Sequence, residues 1–180
     1  MQLANVGNTS LTEAGYREVI RCKTALLFEA ATHTGALLAQ ESGETTCKEY
    51  IEPIRKFGLH FGMAYQLVDD WLDYAGDSAA MGKNIGDDLA EGKLTLPLIQ
   101  ALKTVPEDQK SLIIKAIEER STESLTAILQ IVVKSGALDY TYRAAIEEND
   151  LALACLNPLP DTPYKNALET VARFSLARIG

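Results

Sequence analysis

Gln66-Leu67-Val68-Asp69-Asp70-Trp71-Leu72-Asp73 puts three carboxylates and an amide within two helical turns of an otherwise apolar segment. At i, i+1 and i+4, Asp69, Asp70 and Asp73 are expected to share one side of a helix, with Gln66 one turn before them. Like charges this close repel by about 1 kcal/mol per pair, even at the dielectric of bulk water and a separation of roughly 4 Å. The spacing therefore asks for something positive nearby.

The stretch ends a longer pattern over 46–74, in which Ile51, Ile54, Phe57, Phe61, Tyr65, Val68 and Leu72 recur every three or four residues and predict a long amphipathic helix. Gly58 and Gly62 within it predict close packing against a neighbour. Upstream, Val19, Ile20, Ala25, Leu26, Phe28, Leu37 and Leu38 predict a helix over 12–40, broken near 21–23, with Ser10 or Thr12 as N-cap. Residues 75–93 lose this periodicity, contain Gly76, Gly82 and Gly86, and read as the main loop. Helices are expected at 94–102, 106–120, 122–134, 138–156 and 162–178, punctuated by Pro106, Ser121, Gly136 and the Asn157-Pro158-Leu159-Pro160 turn. No segment of period two competes with them, so the class is all-α. Without internal repeats or linkers, residues 1–180 read as one helical domain.

With 47% hydrophobic and 23% charged residues the chain has enough apolar content for a core, which excludes a disordered protein. A net charge of −8 without a basic stripe excludes nucleic acid or an anionic membrane as an electrostatic partner. Cys22, Cys47 and Cys155 are odd in number and irregularly spaced, which fits reduced thiols better than disulfides or a zinc site. No run approaches the roughly 20 apolar residues of a membrane span, and the N-terminus lacks the pattern of a signal peptide. A soluble, cytoplasmic protein is expected.

Oxygen-only ligands suit a hard cation, and magnesium takes one or two protein carboxylates together with waters and phosphate oxygens. The aspartates lack the alternate spacing around a glycine that a calcium loop needs. An acidic cluster alone is also what a solvated helix face carries. Lysines and glycines at fixed distances add to the signal: Lys23-Thr24 upstream, Gly82-Lys83 in the loop, and Glu91-Gly92-Lys93-Leu94-Thr95-Leu96-Pro97 before the next helix. Lysine is a compact charge for phosphate oxygens, and glycine admits an anion to backbone N–H groups. Together they point to a diphosphate held between magnesium and lysines.

The ordered series Lys23-Thr24, then 62–74 with Asp69-Asp70-Trp71-Leu72-Asp73, then 81–97, resembles the second half of the trans-type polyprenyl diphosphate synthases, in their bacterial long-chain, octaprenyl branch. The likeness extends to Leu159-Pro160-Asp161-Thr162-Pro163-Tyr164 and so covers essentially the whole chain. It implies the C-terminal part of the isoprenoid synthase bundle. In that fold an allylic diphosphate is ionised and attacked by isopentenyl diphosphate, here for quinone side chains. By the same resemblance Asp69 binds magnesium, with Asp70 and Asp73 as direct or water-mediated partners. Lys23, Lys83 and Lys93 neutralise the departing diphosphate, while Thr24 and Gln66 line the cavity beside the reacting carbons.

The family carries two aspartate-rich motifs, and residues 1–65 contain no other Asp-Asp-x-x-Asp. The chain is therefore expected to be a partial synthase domain, either with Met1 as an internal methionine used as an apparent start or as a truncated product, and to be inactive or nearly so alone. The helices carrying Leu26, Phe28, Phe57, Phe61 and Val68 are expected to face missing helices, leaving apolar surface that leads to self-association into a homo-oligomer or to rearranged packing. The rival reading is a non-catalytic helical subunit derived from the same fold. A class I terpene cyclase would also use magnesium and diphosphate, but the loop lysines and the Gly92-to-Pro97 pattern speak against it. His33 and His60 read as structural. Trp71 and Tyr74 either line a cavity or pack in the core, and Asp87 and Asp88 are expected to bond the loop or its lysines.

Overall fold

Helix α1, Glu13–Ile20, passes without interruption into a π-helical turn, Arg21–Ala25, and on into α2, Leu26–Glu41. The break expected near 21–23 is this turn: the Leu26 N–H reaches back to the Arg21 carbonyl, five residues away. A 3-10 segment, Thr45–Tyr50, leads into α3, Ile51–Ala75, which is followed by α4, Asp87–Ala90, and α5, Leu96–Thr104. Next come α6, Glu107–Glu119, α7, Leu125–Lys134, α8, Ala137–Cys155, and α9, Pro163–Ala177. The computed structural model describes residues 6–41, 45–75 and 85–178, with the backbone alone at 45–47. Among the described residues the chain is all-α, without a strand.

Local chemistry accounts for several boundaries. Pro97 sits in the first turn of α5, where its missing N–H costs nothing. Helix α6 stops at Arg120, which takes the left-handed conformation at φ 50°. At the start of α9, the Thr162 hydroxyl oxygen accepts the Lys165 N–H at 3.2 Å and Pro163 occupies the first turn. Of the expected loop at 75–93, the described part contains α4, a helix too short to show apolar periodicity. Lys83 lies outside the described residues.

The chain divides into two compact units, residues 1–19 with 67–143 and residues 20–66 with 144–180. Helix α3 supplies 67–75 to the first and 51–66 to the second. In the first unit α5, α6 and α7 pack pairwise and α4 packs on α6. Its core includes the fully buried Leu67, Val68, Leu89, Leu96, Ile113, Ile117, Ile128 and Val132. The second unit is built around Phe57, Phe61, Ala152, Leu156 and Ala172, with Phe28, Leu159 and Leu168 packed against them.

The packing predicted from Gly58 and Gly62 is present. A Cβ at Gly62 would lie 2.6 Å from the Ala25 Cα, and one at Gly58 would lie 2.6 Å from the Phe28 carbonyl oxygen, so α3 and α2 meet backbone to backbone. Phe28 meets Phe61 edge-on at 5.0 Å between ring centroids, and Phe57 stacks on Phe61 at 5.9 Å.

One expectation is overturned. Phe57, Phe61 and Val68 do not wait for absent helices, because each is buried by this chain's own helices, and Phe28 is half-buried. Leu26 does remain exposed. Among the described residues, large exposed hydrophobic side chains also include Leu27 and Leu38 on α2 and Tyr164 and Phe174 on α9. Among the described residues, no helix is long and apolar enough to cross a membrane.

Candidate functional site

Asp70 does not lie on an open face. It is 3% exposed, and its Oδ2 accepts a 2.5 Å hydrogen bond from the hydroxyl of Tyr16, which is 2% exposed. Burial, then the charge and hydrogen bond of Asp70, hold the Tyr16 phenol well above its ordinary pKa, so it remains a donor. One turn earlier Glu13 anchors α1. Its carboxylate accepts from Gln100 Nε2 at 2.7 Å, Tyr140 Oη at 3.0 Å and Lys103 Nζ at 3.3 Å. Burial raises the Glu13 pKa, but these donors outweigh it and hold the group below its usual value.

Asp73 does a different job. Its two carboxylate oxygens accept the backbone N–H groups of Asp87 at 3.1 Å and Asp88 at 3.2 Å, and its carbonyl accepts the Gly86 N–H at 3.1 Å. Helix α4 thus begins on Asp73, and Gly86 makes the approach with φ at 83°. Burial, then the charge of Asp88, pushes the Asp73 pKa up to about 7 against the pull of those two N–H donors. The compensation demanded by like-charge repulsion comes to Asp70 from a tyrosine hydroxyl and to Asp73 from backbone donors and a raised pKa. The three differ in burial: Asp70 is buried, while Asp69 and Asp73 are half-buried.

Lys93 is held within its own loop, with Nζ 3.0 Å from Asp88 Oδ1 and 2.5 Å from Glu91 Oε2. Burial lowers its pKa, but the bonds to Glu91 and Asp88 prevail and raise it above the ordinary lysine value. Asp88 therefore pairs with a lysine, as expected. Tyr74 is buried in the core, whereas Trp71 is half-buried with its ring centroid 6.3 Å from that of Tyr142.

In the second unit the Thr24 hydroxyl donates to Gln66 Oε1 at 2.7 Å, joining two residues singled out from sequence 42 positions apart. Thr24 and the exposed Lys23 sit on the π-helical turn, a distortion that recurs at functional sites. His60 is structural: its Nδ1 lies 2.9 Å from Glu148 Oε2.

Among the described residues, no three acidic, histidine or cysteine side chains gather closely enough to hold a metal ion by themselves. With Asp70 bonded to Tyr16 and Asp73 capping α4, the donor set fits magnesium through Asp69 plus water and substrate oxygens, an arrangement magnesium commonly adopts. Tyr16 and Glu13 were not singled out from sequence. The available signal was slight: a polar-tipped aromatic two turns before Lys23 on the same helical run.

The all-α fold of the described residues, with its Asp-Asp-x-x-Asp turn near the end of α3, superposes on solved isoprenyl diphosphate synthases. The chain belongs to one family within that class, the polyprenyl synthetases, whose family model matches residues 1–133. It is 44% identical over 179 residues to the all-trans-nonaprenyl-diphosphate synthase (geranyl-diphosphate specific) of Rhodobacter capsulatus, covering 99% of this chain and 53% of that protein. It is 41% identical to the octaprenyl diphosphate synthase of Escherichia coli K12, covering 99% and 54%. Among solved structures, a polyprenyl synthase from Caulobacter crescentus in complex with calcium and isoprenyl diphosphate superposes at a TM-score of 0.88 with 38% identity, covering 99% of this chain and 54% of that one. The chain thus spans about half the length of the curated relatives it matches.

Proposed function

We propose that this chain carries one half of a prenyl-transfer site, the half that receives the magnesium-bound diphosphate of an allylic substrate to which isopentenyl diphosphate is added. The observation that carries the reading is the Asp69–Asp73 turn of α3, held by Tyr16 at Asp70 and by the start of α4 at Asp73. On this reading Asp69 holds the cation, with Asp70 and Asp73 as orienting or water-mediated partners. The Caulobacter relative, in complex with calcium and isoprenyl diphosphate, supports a divalent cation and a prenyl diphosphate as its ligands. The nonaprenyl and octaprenyl relatives support a long-chain product, the kind that serves as a quinone side chain.

Magnesium, when bound, would screen the diphosphate and make it a better leaving group. The chain's own residues prepare that departure. Lys23 and Lys83 supply positive charge to the diphosphate oxygens, and Lys93 joins them by exchanging Asp88 and Glu91 for substrate. Thr24 and Gln66, hydrogen-bonded to one another, are read as a neutral polar pair beside the reacting carbons. The working form is read as a cytoplasmic homo-oligomer. Because Asp-Asp-x-x-Asp occurs once in these 180 residues, the isolated chain is expected to bind diphosphate without elongating it.

Calorimetric titration of farnesyl diphosphate into the purified chain tests this. Binding is expected to require Mg2+ and to disappear in Asp69→Asn, and binding that ignores either would overturn the assignment. Steady incorporation of labelled isopentenyl diphosphate by the isolated chain would overturn the statement that it is inactive alone.

A further inference from the structure

We propose that Tyr16 is a positioning residue for this site: by donating its hydroxyl to Asp70 it fixes the rotation of α3 and so the presentation of Asp69. The inference rests on the diphosphate reading above and adds to it a residue that carries no charge and touches no substrate. Its ground is geometric. The Tyr16 hydroxyl and the Asp70 carboxylate meet at 2.5 Å with both residues nearly inaccessible to solvent, so neither is an incidental surface contact. Tyr16 is itself held, because Glu13 one turn before it is bonded to Gln100 on α5 and Tyr140 on α8. A fixed donor therefore acts on a buried carboxylate immediately next to the half-buried Asp69.

The Tyr16 phenol supplies its hydrogen bond to Asp70 as a neutral donor. Hydrogen-bond partners of this kind around metal-binding carboxylates typically alter metal affinity by about 10–100-fold when removed.

Trp71, the chain's single tryptophan, adjoins Asp70 and provides a local fluorescence signal. Mg2+ would be titrated with inorganic pyrophosphate present into wild type, Tyr16→Phe, Asp70→Asn, the double variant and Asp69→Asn, with folding checked by circular dichroism. Tyr16→Phe is expected to weaken Mg2+ binding about tenfold, and the loss is expected to vanish in the Asp70→Asn background, since Tyr16 acts through Asp70. Unchanged affinity in Tyr16→Phe, whatever its melting temperature, would overturn the proposal while leaving the diphosphate reading intact. So would an equal loss in both backgrounds, which marks a general effect on folding. If Tyr16→Phe does not fold, Glu13→Gln, which loosens the anchor of Tyr16 without touching the acidic turn, decides: weaker Mg2+ binding supports the proposal and wild-type affinity overturns it. Failure of the wild type to bind, or wild-type binding by Asp69→Asn, overturns the diphosphate reading and this inference with it.

Discussion

Helix α3 is built in two ways along its 25 residues. Between 51 and 66 it is a packing element: Gly58 and Gly62 let α2 approach to backbone contact, and Phe57 and Phe61 fill the core of the second unit. Between 67 and 75 it buries Leu67, Val68 and Leu72 in the first unit and adds a charged side, where Asp70 and Asp73 are each held by donors from elsewhere in the chain. Both halves pack apolar side chains, and the second adds hydrogen bonds to buried and half-buried carboxylates. Shape is insensitive to pH and short-ranged, whereas the hydrogen-bonded half carries charge and so responds to protons and cations.

Truncating Phe61, 7% exposed and in ring contact with Phe57 and Phe28, should cost about 3 kcal/mol in urea unfolding, by an amount that does not vary with pH. A small cost would mean that the packing half tolerates voids. Gly62→Ala should cost less, about 1.5 kcal/mol. The added methyl meets the Ala25 backbone, which cannot rotate aside, but alanine recovers nearly 1 kcal/mol of helix propensity. Stabilisation by Gly62→Ala would overturn the backbone-to-backbone account.

The smallest effect separates the halves most cleanly. Folding raises the Asp73 pKa from 3.8 to about 7, so between those values the folded chain retains a proton that the unfolded chain has lost. The stability contributed by this group is therefore greatest below about pH 4 and falls as pH rises towards 7. Because the carboxyl is only partly buried, the change is roughly 1 kcal/mol. In metal-free buffer with a chelator, Asp73→Asn should flatten the dependence of melting temperature on pH over this window relative to wild type. Equal slopes in the two proteins would place the titrating group elsewhere.

Most of the fold was legible because its signals are local. Periodicity and caps located α5 to α9 within a few residues, and the glycines announced the contact between α3 and α2. The acidic turn and the Thr24 and Gln66 positions were likewise readable as motif. What could not be read was the partner of each carboxylate. Tyr16 lies 54 positions from Asp70, and nothing in the spacing of either residue anticipates the other. The cap that Asp73 places on α4 depends on a chain reversal at Gly86 that apolar periodicity does not encode. Apolar burial was misjudged at Phe57 and Phe61 because their covers, Ala152, Leu156 and Ala172, come from much later in the chain.

The π-helical turn at Arg21–Ala25 has a consequence for the angular phase of everything after it. A π turn accommodates one residue more than an α turn, which shifts the side chains that follow it by about 100° in phase. Within the second unit, Ala25 at the end of the turn and Phe28 in α2 face the two glycines of α3. Removing a single residue from the turn would restore an ordinary helix and swing other side chains against Gly58 and Gly62. Substitutions at the turn leave this phase untouched, so a change of length there should be far less tolerated than a change of side chain.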